Sequence, residues 1–419
     1  MHVLIVNAIM MGDNNATGIT MKNMLYGIKN VGYLQLCVDY RVNAHEQLVE
    51  TLFIGLDNAP ADKMVWHLKG KPEFSVNKEI AKSEQLVSLA GKRGKLGEFL
   101  KGIVDSVPVS LDDEQYKKIN DFKPDLIYTM GASMHVMRLA LKLSKKLEIP
   151  IVFHCMDDWK STIYTKSILS YPFRKETLSL LKSINNRGKI NLAICEKMAN
   201  YYAKEYRKKY NYASNCIFEF NEVPYSADDK KSMLMIFSGG LHFGRGERLK
   251  EVAEVIDELN KAGKRIELEV FAPSSQVSIF EKEFSEFEHT RLLTYVEQHK
   301  QMENLCRADI LLHVESNDLT EMQYMQYSFS TKLVEYFATG RTVIGFGSKT
   351  LSSIEYIEKM KCGMIAEKSD ELKAKIMTLY DRPDLLEEFS KRSLDVAVNY
   401  HSQEAVQKTI LDTFLFAVQ

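Results

Sequence analysis

The chain has 419 residues, too many for one ordinary core, and reads as two domains with room for a long linker or insertion. An apolar fraction of 45% and a charged fraction of 26% are those of a soluble globular protein, and a net charge of −1 gives no whole-molecule attraction to nucleic acid. The charge is uneven: residues 1–225 carry 31 Lys and Arg against 24 Asp and Glu, and the remainder 24 against 32. A basic first half is expected to meet something anionic.

The opening segment HVLIVNAI is a first buried strand; it lacks the basic start and cleavage site of a leader. A polar loop, MMGDNNATGIT, carries Gly18 and leads into a helix and a second strand, LQLCVDY. That order opens a doubly wound α/β unit. Residues 63–101 form a basic, amphipathic tract that includes Lys63, Trp66, Lys69, Lys71, Lys92, Arg93, Lys95 and Lys101. Trp66 and the run Leu96–Ile103 mark it as a candidate for peripheral membrane contact. No window reaches the ~18 apolar residues of a spanning helix.

Order returns with strand LIYTM, a helix from Ser133 to Leu147, strand IVFH, helices around Leu178–Ile184, and NLAIC with a helix behind it. Segment 211–231 reads as a polar interdomain linker. Strands MLMIFSGG, IELEVFAP, RLLTYV, ADILLHVES and TVIGF then alternate with helices, and a helix-rich tail follows. The alternation predicts two facing Rossmann-like domains, 1–220 and 221–398. Cys37, Cys155, Cys195, Cys216, Cys306 and Cys362 include no CxxC pair and read as reduced packing residues of a cytoplasmic protein.

Ligands in such sheets bind beyond the carboxyl ends of the strands. In FSGGLHFGR, Gly239 and Gly240 let backbone approach a ligand, and Arg245 can fork onto phosphate oxygens. In SFSTKLVEYFATG, Ser330, Thr331 and Lys332 stand at a helix start, where free N–H groups and the helix dipole favour an anion. Glu335, one turn on, can reach a sugar hydroxyl. Glu315 ends strand ILLHV, and a carboxylate there suits sugar hydroxyls too. In HCMDDW, His154, Asp157 and Asp158 read as hydrogen-bonding groups or as a capped helix start at Asp158; with no further cluster at ligand spacing, metal is not expected. GxGxxG, GxSxG, HExxH and Walker A patterns do not occur.

The strings DNNATGIT, KPDLIYTMGA, IPIVFHCMDDW, LAICEKMANYY, FSGGLHFGR and, most firmly, FSTKLVEYFATGRTVIGFG resemble the retaining family 4 GT-B glycosyltransferases of bacterial surface polysaccharide assembly. The resemblance implies a GT-B fold, no cofactor beyond a nucleotide-diphosphate sugar donor, and a saccharide or polyprenyl-linked acceptor on the first domain, at the inner face of the membrane. It implies Glu335 at the donor ribose, Arg245 and Lys332 at the diphosphate with Gly240 beside them, and Glu315 at the donor sugar. Gly18 would lie by the diphosphate and His154 or Asp157 by the reacting sugar, and a final helix, 399–419, would pack back on the first domain. Two features depart from the family pattern. Tyr327 stands eight residues before Glu335 where a glutamate is usual, and Leu241 follows Gly240 where an arginine is usual. A nucleotide-sugar 2-epimerase and a non-catalytic GT-B homologue that partners an active transferase are the alternatives.

Overall fold

The computed structural model describes the whole chain except residues 14–15, 38–46, 62, 65–93, 132, 222, 227–231 and 298–299. Trp66, Lys69, Lys71, Lys92 and Arg93 of the basic tract therefore lie outside the described residues. The chain forms two compact units, Met1–Ala213 with Gln407–Gln419, and Ser214–Val406.

In the first unit the strands are β1 (His2–Asn7), β2 (Gly32–Cys37), β3 (Thr51–Phe53), β4 (Leu126–Thr129), β5 (Ile151–Cys155), β6 (Ile190–Ala193) and β7 (Lys209–Tyr212). They form one parallel sheet in the order β3-β2-β1-β4-β5-β6-β7. The central strands are continuous apolar runs because helices cover both faces: Val3, Leu4, Ile5 and Val6 are all fully buried. The helix Met134–Leu147 starts where Ser133 accepts a hydrogen bond from Val136 N at 3.2 Å, and ends at Glu148 in the left-handed region. Strand β7, KYNY, was expected as the end of a helix and the start of the linker. Arg207, with φ +52, stops the preceding helix, and the tyrosines then pair along β6 as a half-exposed edge.

In the second unit the strands are β8 (Met233–Ser238), β9 (Ile266–Ala272), β10 (Thr290–Thr294), β11 (Ile310–Val314), β12 (Thr342–Phe346) and β13 (Gly363–Ala366). They lie parallel in the order β10-β9-β8-β11-β12-β13. The helix Thr331–Ala338 buries Leu333, Val334, Tyr336 and Phe337 and ends at Gly340, whose φ of +58 suits glycine. Arg341 sits at that end, donating to the carbonyls of Thr339, Gly340 and Cys306. Segment 315–329, expected as a polar loop, contains the helix Leu319–Met325. Asp318 starts it by accepting from the backbone N–H groups of Thr320 and Glu321. Among the described residues no helix is long and apolar enough to cross a membrane.

Candidate functional site

The second sheet reverses its order between β8 and β11. From β8 the chain moves outward to β9 and β10, then returns to β11 and moves the other way to β12 and β13. Loops leaving the carboxyl ends of β8 and β11 diverge there and leave a crevice. The β8 loop, residues 239–244, delivers Arg245 to the first position of the helix Arg245–Lys261. Gly244 has φ +67, and a Cβ on it would lie 2.7 Å from Ser316 Oγ and 2.8 Å from Glu321 Oε2. Only glycine lets the β8 and β11 loops come this close.

Arg245 crosses that gap. Its Nη2 donates to Glu315 Oε2 at 2.7 Å, and its Nε donates to the same oxygen and to Val314 O, each at 3.1 Å. On the other side, His313 Nε2 lies 3.2 Å from Glu315 Oε1. Burial alone would raise the Glu315 carboxyl, but the Arg245 guanidinium and the His313 ring outweigh it and hold the pKa at about 2. Glu315 is thus a buried carboxylate with Oε2 held by Arg245 and Oε1 beside His313. It grips the guanidinium from one side and fixes its plane. Burial, then the Arg245 charge, lowers the pKa of the neighbouring His242, against the pull of Glu315.

The helix Thr331–Ala338 begins at Ser330, and no side chain caps it. Its first N–H groups and the Ser330 and Thr331 hydroxyls make a start suited to an anion. Ser330 N donates to Ser353 Oγ at 3.1 Å, fixing the loop that enters the helix. Lys332 Nζ donates to Glu335 Oε2 at 3.0 Å, and both side chains are partly exposed. Lys332 also lies over the Tyr295 ring, 5.9 Å from its centre. Tyr336 ties this helix to the end of β8: its hydroxyl accepts from Ser238 N at 2.8 Å and donates to Ser238 O at 3.2 Å. The helix is thereby fixed against the end of β8, the strand from which the Arg245 loop leaves.

Gly240 lies in the same loop, with the His242 ring where its Cβ would be. The remaining expected site residues lie in the first unit. Gly18 is in the first turn of the helix Ala16–Leu25, and its carbonyl accepts from Gly12 N at 3.3 Å. His154 is fully buried in β5. Its Nδ1 accepts from the Tyr128 hydroxyl at 2.7 Å and its Nε2 donates to Ala213 O at 3.0 Å. Burial lowers its pKa to about 4, so the ring is a neutral clamp between strands with both nitrogens occupied. Asp157 is exposed at the strand end. Asp158 stands at the helix start as expected, but its side chain is no cap: it accepts from the Tyr202 hydroxyl at 2.6 Å.

Sequence reasoning missed His313, Tyr336 and Glu321. His313 was legible, because residues two apart on a strand share a face and HVE places the ring beside Glu315. Tyr336 carries a polar tip on a buried helix face, a feature without a readable sequence signal.

No family model matches the chain, and no curated protein sequence matches it. Its fold does match solved structures across nearly their whole length. HepE of Anabaena, in complex with UDP, has a TM-score of 0.63 at 12% identity, covering 99% of this chain and 100% of that one. Sucrose-phosphate synthase of Thermosynechococcus elongatus gives 0.60 at 11% identity, covering 100% and 99%. A glycosyltransferase of Rickettsia africae gives 0.57 at 11%, covering 100% and 98%. Two parallel sheets flanked by helices, matched end to end with these proteins, give the chain the GT-B fold.

Proposed function

We propose that this protein is a retaining glycosyltransferase that moves a sugar from a nucleotide-diphosphate sugar to a saccharide or polyprenyl-linked acceptor. On this reading it works in the cytoplasm, in capsule, O-antigen or exopolysaccharide synthesis. The observation that carries the proposal is the pairing of a fixed guanidinium with an uncapped helix start at the switch point of the second sheet. That HepE, with the same fold, holds UDP supports a uridine diphosphate donor.

The leaving diphosphate gains negative charge as the glycosidic bond breaks. Arg245, oriented by Glu315, is set to stabilise that charge without rearranging, and Lys332, with the helix dipole behind it, adds a second cation once it has released Glu335. These cations fill the place a metal ion takes in other transferases, so the proposal needs no metal. Glu335 accepts from a donor hydroxyl, which requires Lys332 to let go of it. Calorimetric titration with UDP- and GDP-sugars tests the reading: binding and turnover that vanish in Arg245→Ala and Lys332→Ala support it, and failure to bind any nucleotide sugar overturns it.

A second reading, a non-catalytic homologue that partners a transferase, is favoured by one observation. Both cations are already paired with carboxylates of this chain. Nucleotide-sugar binding without turnover, in the presence of acceptor, would select it.

A further inference from the structure

The described end of the basic tract is the helix Lys95–Ser106. It turns Leu96, Leu100 and Ile103 to solvent, three residues on one face at helical spacing. Against it lies the turn Ile168–Ser170, whose Ile168 is 90% exposed and Leu169 58% exposed, followed by exposed Tyr171. A soluble surface scatters such residues singly; six in two touching segments make a ledge.

The ledge is held rigid from beneath. Glu98, buried, accepts from the backbone N–H groups of Lys166 at 3.0 Å and Ser167 at 3.1 Å. Asp105, also buried, accepts from the Tyr164 hydroxyl at 2.7 Å. Tyr164 itself has φ +54, a left-handed conformation that swings the turn up beside the helix. Gly102 takes the Phe173 ring directly against its backbone. Two carboxylates therefore hold the apolar turn beside the helix, with its Ile168 and Leu169 side chains left exposed.

The exposed charges of the two segments themselves have one sign. Within residues 94–106 and 163–175 the only carboxylates are Glu98 and Asp105, both buried and engaged inward. Lys95, Lys101, Lys166 and Lys175 are exposed. The next acid, Glu176, is paired with Arg138. Exposed apolar side chains interspersed with exposed lysines complement a bilayer: the apolar tips enter the acyl boundary while the ammonium groups meet anionic headgroups. An acidic protein surface would answer the lysines but leave Ile168 and Leu169 unmatched.

We propose that this ledge seats the protein on a membrane leaflet containing anionic lipid, with the turn Ile168–Ser170 as the inserting tip. The proposal extends the reading of a lipid-linked acceptor, but its test does not depend on it. The full chain is sedimented with vesicles of phosphatidylcholine plus phosphatidylglycerol, and separately with phosphatidylcholine alone. The mixed vesicles should carry the protein down, less so as salt rises, and the neutral ones about tenfold less well. Ile168→Asp with Leu169→Asp should lower partition to the mixed vesicles by about tenfold or more. Lys95→Ser and Lys101→Ser should each lower it about fivefold. A fluorophore on Ile168→Cys should shift to the blue on vesicle addition. These side chains are exposed, so melting temperature should hold. Absence of binding to anionic vesicles, equal binding to neutral ones, or wild-type binding by the double aspartate variant each overturns the proposal. UDP titration of the same preparations separates the two readings. Nucleotide binding without vesicle binding sinks the ledge alone, and the reverse sinks the transferase alone.

Discussion

Arg245 and Glu315 behave as one group: two donors of the guanidinium converge on a single carboxylate oxygen, while His313 stands at the other oxygen. A buried pair of this kind is costly to halve, since removing one partner strands the other charge, at about 3–5 kcal/mol. Glu315→Ala should therefore lower unfolding stability by about that much, read in urea. Glu315→Gln keeps the shape and should cost less, yet lower donor affinity about tenfold because the guanidinium loses its fixed plane. If Glu315→Gln binds nucleotide as well as wild type, orientation of Arg245 is not its role.

Glu335→Ala makes the opposite pairing of effects. Its bond to Lys332 is partly exposed and worth no more than about 1 kcal/mol. Melting should hardly move, while nucleotide-sugar affinity falls by about tenfold or more, the loss of a hydrogen bond to a charged acceptor. Unchanged affinity by calorimetry would remove the ribose assignment.

Tyr336→Phe tests the tie between the helix start and β8. It leaves Ser238 N and Ser238 O without the hydroxyl, both in a buried setting, for an expected loss of about 1–3 kcal/mol. The same variant should blunt donor binding although Tyr336, 1% exposed, can scarcely touch the donor. A stability loss with intact binding would mean the tie holds the fold but not the site.

Acid should act on each unit separately. His154 in the first and His401 in the second are each pushed by burial from 6.5 to about 4. Their unfolded forms take up a proton first, so stability is full above about pH 6.5 and is lost as pH falls toward 4. The loss is on the order of 3 kcal/mol for each by pH 4. Equilibrium unfolding between pH 7 and pH 4 measures this. His401→Gln should flatten the fall in the second unit; an unchanged pH slope would rule out His401 as its source.

Much of the scaffold was legible because buried parallel strands are written as apolar runs, such as HVLIVN and TVIGF. Helix Thr331–Ala338 was legible because its start, its buried face and Gly340 all agree. The Tyr-rich edge β7 was not: an exposed edge strand needs no apolar run, and its neighbour β6 decides it. The helix Leu319–Met325 buries no side chain, so its periodicity carries no signal. At the site, residue types were readable but pairing was not. Glu315 was read as suited to sugar hydroxyls, and its pairing with Arg245, made by loops 70 residues apart, had no signal in the sequence. His154 was placed by the reacting sugar on the family resemblance, while its neighbours Tyr128 and Ala213 come from elsewhere in the chain.

The helix Gln403–Val418 is the last element in the chain, yet from Gln407 on it belongs to the first unit. Phe414 meets the edge of the Tyr128 ring, Asn211 Nδ2 donates to Thr413 Oγ1 at 2.8 Å, and Gln407 donates to the Tyr26 carbonyl. During synthesis the first 213 residues leave the ribosome with that groove empty. The second unit can complete its own sheet before the first can close its core. The N-terminal unit is thus begun before the second and finished after it, and until the segment after Gln407 has emerged it presents the ribosome and its attendant chaperones with an open slot beside Tyr128.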